Sequence, residues 1–118
     1  MPEELVYIEI SELDYCLILH VRELRQGLYT QQQLSLKMGM TKTFIGNVES
    51  FLHSKKYSIR HLTLLSKAFK YKSVAELFDF PTPKHDIIQL TLKITPKIKK
   101  DGTPSKGKNV EVVKVEPI

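Results

Sequence analysis

The sequence predicts a mainly α fold, with five helices between residues 11 and 80 and a small β-hairpin after residue 84. Three observations carry that expectation. Apolar residues recur at helical spacing up to the paired prolines Pro81 and Pro83. The stretch Thr30–Glu49 (TQQQLSLKMGMTKTFIGNVE) holds Leu34, Met38, Met40, Ile45 and Val48, which no single straight helix can turn to one side. They fit two short helices meeting at Gly39. Beyond Lys84 the apolar period changes to two, which is the period of a strand with one buried face.

Taken in order, Leu5–Ile10 (LVYIEI) has the β-branched and aromatic content of a short strand that could join the hairpin, although its length leaves a helix open. Ser11 followed by Asp14 reads as an N-cap with an acid in the first turn. Leu13, Leu17, Ile18, Val21 and Leu24 then continue at helical spacing to about Gln26, and Gly27 ends the helix. Thr30 and Thr41 are expected to cap the next two helices, since a hydroxyl there accepts an orphan backbone N–H. Gly39 lies where a chain leaving a helix often needs positive φ. A helix, a tight glycine turn and a second capped helix make a helix-turn-helix.

Leu52–Tyr57 (LHSKKY) reads as a basic loop. Ser58 caps a helix with Ile59, Leu62, Leu65, Ala68 and Phe69 on its apolar face, and Ser73 caps a brief fifth helix, VAELF. Pro81 and Pro83 stop the helical pattern. Ile88, Leu90, Leu92 and Ile94 form one face of a strand, and 99–108 (KKDGTPSKGK) is expected to be a mobile loop. Val110 and Val112 begin a second strand. Val113 and Val115 continue it in the opposite phase, so a bulge or a change of pairing is expected there. The domains read as 11–80 and 84–118. A lone hairpin is marginal in water, so its apolar face needs the bundle, the N-terminal strand or a second subunit as cover.

Composition narrows the function. The 118 residues are 42% hydrophobic and 26% charged, ordinary for a globular protein, with a net charge of +5. The charge is polarised. From Lys37 to Lys72 the basic residues Lys37, Lys42, Lys55, Lys56, Arg60, Lys67, Lys70 and Lys72 face one acid, Glu49. Residues 1–23 instead carry Glu3, Glu4, Glu9, Glu12, Asp14 and Glu23 against Arg22. A solvated surface is the plain reading of such a run; its coincidence with a helix-turn-helix raises the nucleic-acid reading above it. A single cysteine, Cys16, excludes an intrachain disulfide, and the acidic MPEEL start lacks the basic opening of a signal peptide, so a cytoplasmic protein is expected. Cys16 and His20 lie one helical turn apart, but no oxyanion site or orienting acid accompanies them. His53, His61 and His85 show no zinc-type clustering with Cys16, and no phosphate-cradling glycine loop is present. No enzyme and no cofactor is expected.

The motifs resemble a known family. Leu24–Arg25, YTQ at 29–31, QLS at 33–35, Gly39, TKTFIGNVE at 41–49 and SIRHLTLLSKAF at 58–69 follow the order and spacing of the Cro/repressor-type helix-turn-helix domain of lambda-repressor-like bacterial regulators, the xenobiotic-response-element family. The resemblance spans about Leu17–Phe78. The connection from Arg25 to Gln31 is one residue shorter than usual, and SFLHSKKY replaces a tighter turn after Glu49. It implies a five-helix DNA-binding domain and a recognition helix over 41–51. It also implies an interior ion pair between Arg25 and Glu49, and a phosphate contact at Gln31.

In that frame Lys42, Thr43 and Asn47 project opposite Ile45 and Val48 and are candidates for base contact: lysine donates to guanine, and asparagine pairs with adenine. Phe44 is either a thymine-methyl or sugar contact or a packed ring. Gln31, Thr41, Lys55, Lys56, Tyr57 and Arg60 are candidate phosphate contacts, against a merely solvated loop. Gly46, inside the recognition helix, implies close approach of DNA or of another helix. One helix reads few base pairs, so a homodimeric repressor of double-stranded DNA is expected, with Ile88, Leu90, Leu92, Ile94, Val110 and Val112 at the dimer or partner contact. The alternative is an antitoxin-like interaction module whose C-terminal strands bind a toxin-like protein partner by strand addition.

Overall fold

The computed structural model describes residues 3–53 and 55–118, with the backbone alone for 104–106. Met1 and Pro2 of the acidic start and Ser54 of the basic loop lie outside the described residues. The chain divides into two compact units, one of Glu12–Lys84 and one combining the residues up to Ser11 with His85–Ile118.

The helical unit contains α1 (Glu12–Arg25), α2 (Gln31–Lys37), α3 (Phe44–Glu49) and α4 (Ile59–Ala68). Glu12 and Asp14 in the first turn of α1, and Arg22 and Arg25 in its last, complement the helix dipole. Its Leu17, Ile18 and Val21 are buried with Leu34 of α2, Ile45 and Val48 of α3 and Leu65 of α4. Ile59 stays exposed at the first turn of α4, off the apolar face that its spacing suggests. The expected fifth α-helix is absent among the described residues: Val74–Phe78 is a five-residue 3₁₀ segment. Ser73 does cap it, but Asp79 turns away at ψ 69° and the prolines follow, so no further α-turn is added.

The second unit corrects the mainly α expectation. It is a three-stranded antiparallel sheet of β1 (Glu4–Ser11), β2 (Ile87–Ile98) and β3 (Pro104–Pro117) in that order, not a two-stranded appendage. β1 pairs with β2 from Glu4↔Ile94 to Ser11↔Ile87 without a shift of register. A third strand is what a marginal hairpin requires. Register partners share a face, so Val6, Ile8 and Ile10 join Ile88, Leu90, Leu92 and Ile94. Along β3, Lys114 faces Thr91 while Val112 faces Leu92, leaving Val113 as the extra residue of a bulge. That bulge causes the phase change between Val112 and Val115. The loop expected over 99–108 is shorter: Lys99–Thr103 turns, with the Lys99 N–H donating to the Thr103 carbonyl at 2.8 Å, and strand resumes at Pro104. No helix among the described residues is long and apolar enough to cross a membrane.

Candidate nucleic-acid interface

The helix-turn-helix is built from α2, the turn through Gly39 and α3. Thr30 caps α2 by accepting the Gln33 N–H at 3.1 Å, while the Gln33 side chain accepts the Thr30 N–H at 2.9 Å. Gly39 has φ 76°, the left-handed conformation that lets the chain leave α2 sharply. α3 is shorter than the expected 41–51. Thr41–Thr43 form a turn closed by the Phe44 N–H on the Thr41 carbonyl, and Phe51 adopts φ 63°, which ends the helix. Thr41 is therefore not the cap, and the N-cap residue Thr43 makes no side-chain capping bond. The orphan N–H of Ile45 is satisfied from the neighbouring helix instead. Ser35, fully buried on α2, accepts it at 2.9 Å while donating to the Gln31 carbonyl at 2.9 Å. Spacing gives no sign of this, because the two partners are ten residues apart and on different helices.

The far end of α3 is fixed by charge. Arg25 Nε donates to Glu49 Oε2 at 2.8 Å and Nη2 to Oε1 at 2.9 Å, the two-point geometry suited to guanidinium and carboxylate. The remaining Arg25 nitrogen, Nη1, donates to the Tyr29 carbonyl at 3.1 Å, and the Tyr29 hydroxyl donates to the Ala68 carbonyl of α4 at 3.0 Å. Gln31 Nε2 adds a third bond to Glu49, at 3.0 Å. The Gln31 amide thus has a protein partner rather than standing free for a phosphate. Its oxygen lies 3.2 Å from where a Cβ on Gly46 would stand, so the close approach at Gly46 is by the side chain of α2.

The other predicted residues separate into two groups. Thr41, Lys42 and Thr43 are exposed at the start of α3, and Asn47 is half-buried one turn on. Neither Lys42 nor the Asn47 side chain has a partner among the described residues. Phe44 is instead packed, its ring centroid 4.6 Å from that of His61 and 6.2 Å from that of Tyr57. Tyr57 is buried and corrects the phosphate-contact expectation. Its hydroxyl has no partner among the described residues. Burial, followed by the Glu49 charge, pushes its pKa far above the usual phenol range, with Arg25 acting in the opposite sense. Lys55, Lys56 and Arg60 are exposed, Lys56 lying 4.0 Å from Asp14 of α1.

His61 completes the local frame. Ser58 accepts its N–H and the ring Nδ1 accepts the Ser58 N–H at 2.9 Å, a capping box in which imidazole takes the place of a glutamate. Burial and the neighbouring Arg60 charge hold its pKa below the ordinary histidine value.

Of the residues expected at a dimer contact, Ile88, Leu90, Leu92 and Ile94 are already buried within the chain, and Val110 and Val112 are half-buried. Little of the β2 side chains is left for a partner. The sheet's exposed apolar residues are instead Leu5, Tyr7, Val113 and Val115, on its two edge strands, and Ile87 and Ile98 at the two ends of β2. Comparison of the chain with protein-family models, with curated proteins and with solved structures finds no match.

Proposed function

We propose that the chain is a sequence-specific regulator that binds double-stranded DNA, of the lambda-repressor-like type, acting as a homodimer with α3 in the major groove. The observation that carries this reading is the contrast between the two faces of α3. One face is anchored by Ser35, Ile45, Val48 and the Arg25–Glu49 pair. The turn leading into α3 and its opposite face present the side chains of Lys42, Thr43 and Asn47 without partners among the described residues. Free donors at the start and on the outer side of an anchored short helix are what base-edge recognition needs, and the exposed Lys55, Lys56 and Arg60 supply charge for the backbone.

The experiment is selection of genomic fragments with the purified protein, followed by binding to the best site at two salt concentrations. An enriched inverted repeat bound less tightly at high salt is the expected result. Asn47→Ala then alters the preferred sequence, whereas Lys55→Ala weakens all sequences alike. Absence of DNA binding overturns the reading. A second reading, a module that binds a protein partner by strand addition, is favoured by the exposed Val113 and Val115 on the edge strand β3. Co-purification of a second small protein in place of DNA would select it.

A further inference from the structure

Among the described residues β1 covers β2 only as far as Ile94. From Thr95 to Asn109 the sheet continues as a two-stranded ribbon of β2 and β3 closed by the Lys99–Thr103 turn. At the rise of a strand, its tip stands about 17 Å beyond the last β1 pair. Charge along the sheet changes at the same boundary. In the three-stranded part, Lys93 lies 3.2 Å from Glu3 and Lys114 pairs with Glu116. On the ribbon, Lys97, Lys99, Lys100 and Lys108 are exposed, and none has an acid at ion-pair distance among the described residues. The one acid there, Asp101, is held by Thr103, whose N–H and hydroxyl donate to the same Oδ1 at 3.0 and 2.6 Å. Those bonds hold its pKa below the usual carboxylate value, and its carboxylate has no lysine at ion-pair distance among the described residues.

We propose that this ribbon is a DNA arm, an unneutralised lysine array that lies along the phosphate backbone of duplex DNA. The inference rests on the duplex-DNA reading above and adds to it a second contact, independent of sequence. A two-stranded ribbon is narrow enough to enter the major groove or follow its rim, and lysines without local counter-charges gain the most from displacing the counterions condensed on DNA. Among the described residues Ile98 is the one large apolar side chain exposed near the tip. That is too little apolar surface for membrane insertion and leaves a polyanion as the matching partner.

The test compares the wild-type chain with a variant carrying Lys97→Ala, Lys99→Ala, Lys100→Ala and Lys108→Ala, each titrated with the selected fragment and with unrelated duplex across a salt series. The slope of log affinity against log salt is expected to fall in magnitude by about 3 to 4, with affinity for both duplexes reduced on the order of tenfold or more. Lys114→Ala, at a lysine already paired, leaves the slope unchanged. Amine-reactive footprinting of the wild-type protein, which needs no variant to fold, is expected to show Lys97, Lys99, Lys100 and Lys108 protected by DNA. A wild type that binds DNA with these lysines unprotected, or an unchanged slope in a folded variant, overturns the arm alone. A wild type that binds no duplex overturns the regulator reading and the arm with it.

Discussion

Arg25 and Glu49 meet at two points, 2.8 and 2.9 Å apart, with side chains only 11% and 3% exposed. The pair links the end of α1 to the end of α3. Removing one member leaves the other charged and out of water. Glu49→Ala is therefore expected to destabilise the chain by about 3 to 5 kcal/mol in urea unfolding. Glu49→Ala also strips Gln31 Nε2 of its partner. Replacing both ions, as Arg25→Met with Glu49→Leu, is expected to recover most of that loss, because neither charge then stays buried. If the double variant unfolds as easily as Glu49→Ala, the pair contributes through its shape rather than its charge balance.

Ser35 makes a similar link at the start of α3, with a neutral group. Its hydroxyl is the acceptor for the buried Ile45 N–H. Ser35→Ala leaves that donor without a partner and is expected to cost about 1 to 3 kcal/mol in the same unfolding assay. A larger loss of DNA affinity than of stability would show that the orientation of α3, and not only its stability, depends on this bond. A change within experimental error would mean that the N–H finds another acceptor.

These two links also mark where the sequence stops being readable. Thr30, Ser58 and Gly39 act through neighbours three or four residues away, so their roles follow from local pattern. The bulge at Val113 is legible for the same reason, since an extra residue shifts the phase of alternation on its own strand. Ser35 depends on a partner from another helix, and short serine-to-backbone bonds leave no periodic trace. The length of α3 escapes the pattern because Phe51, not a glycine, takes the left-handed turn. The pairing of β1 with β2 joins segments more than seventy-five residues apart, which alternation in Leu5–Ile10 can suggest but not assign. Tyr57 sits among lysines in sequence and among Phe44 and the Arg25–Glu49 pair in space. Its chain neighbours suggest phosphate contact, and its packing excludes it.

Tyr57 therefore provides a discriminating substitution. Its hydroxyl is buried without a partner among the described residues, so Tyr57→Phe removes an unsatisfied polar atom and keeps the ring that packs on Phe44. Stability is expected to be unchanged or raised by about 1 kcal/mol. On the proposed function, DNA affinity is expected to stay within about twofold, well short of the tenfold fall that corresponds to about 1.4 kcal/mol of binding energy. A large fall in affinity at unchanged stability would restore Tyr57 as a phosphate-binding residue and imply that the loop opens on binding.

His61 gives the fold a pH dependence whose sign follows from its bonds. The capping box uses the neutral ring, because Nδ1 must accept the Ser58 N–H. Burial and Arg60 lower its pKa from the ordinary 6.5, so between the lowered value and 6.5 the unfolded chain binds more protons than the folded one. Stability from this group is complete above pH 6.5 and is lost as the pH falls through the lower, folded value. The wild type is expected to lose melting temperature between pH 7.5 and 5.5. His61→Gln, which keeps a side-chain acceptor at the capping position but cannot titrate, is expected to lose less over the same interval. Equal shifts in melting temperature for the two proteins would assign the pH dependence to other groups and leave His61 as a cap alone.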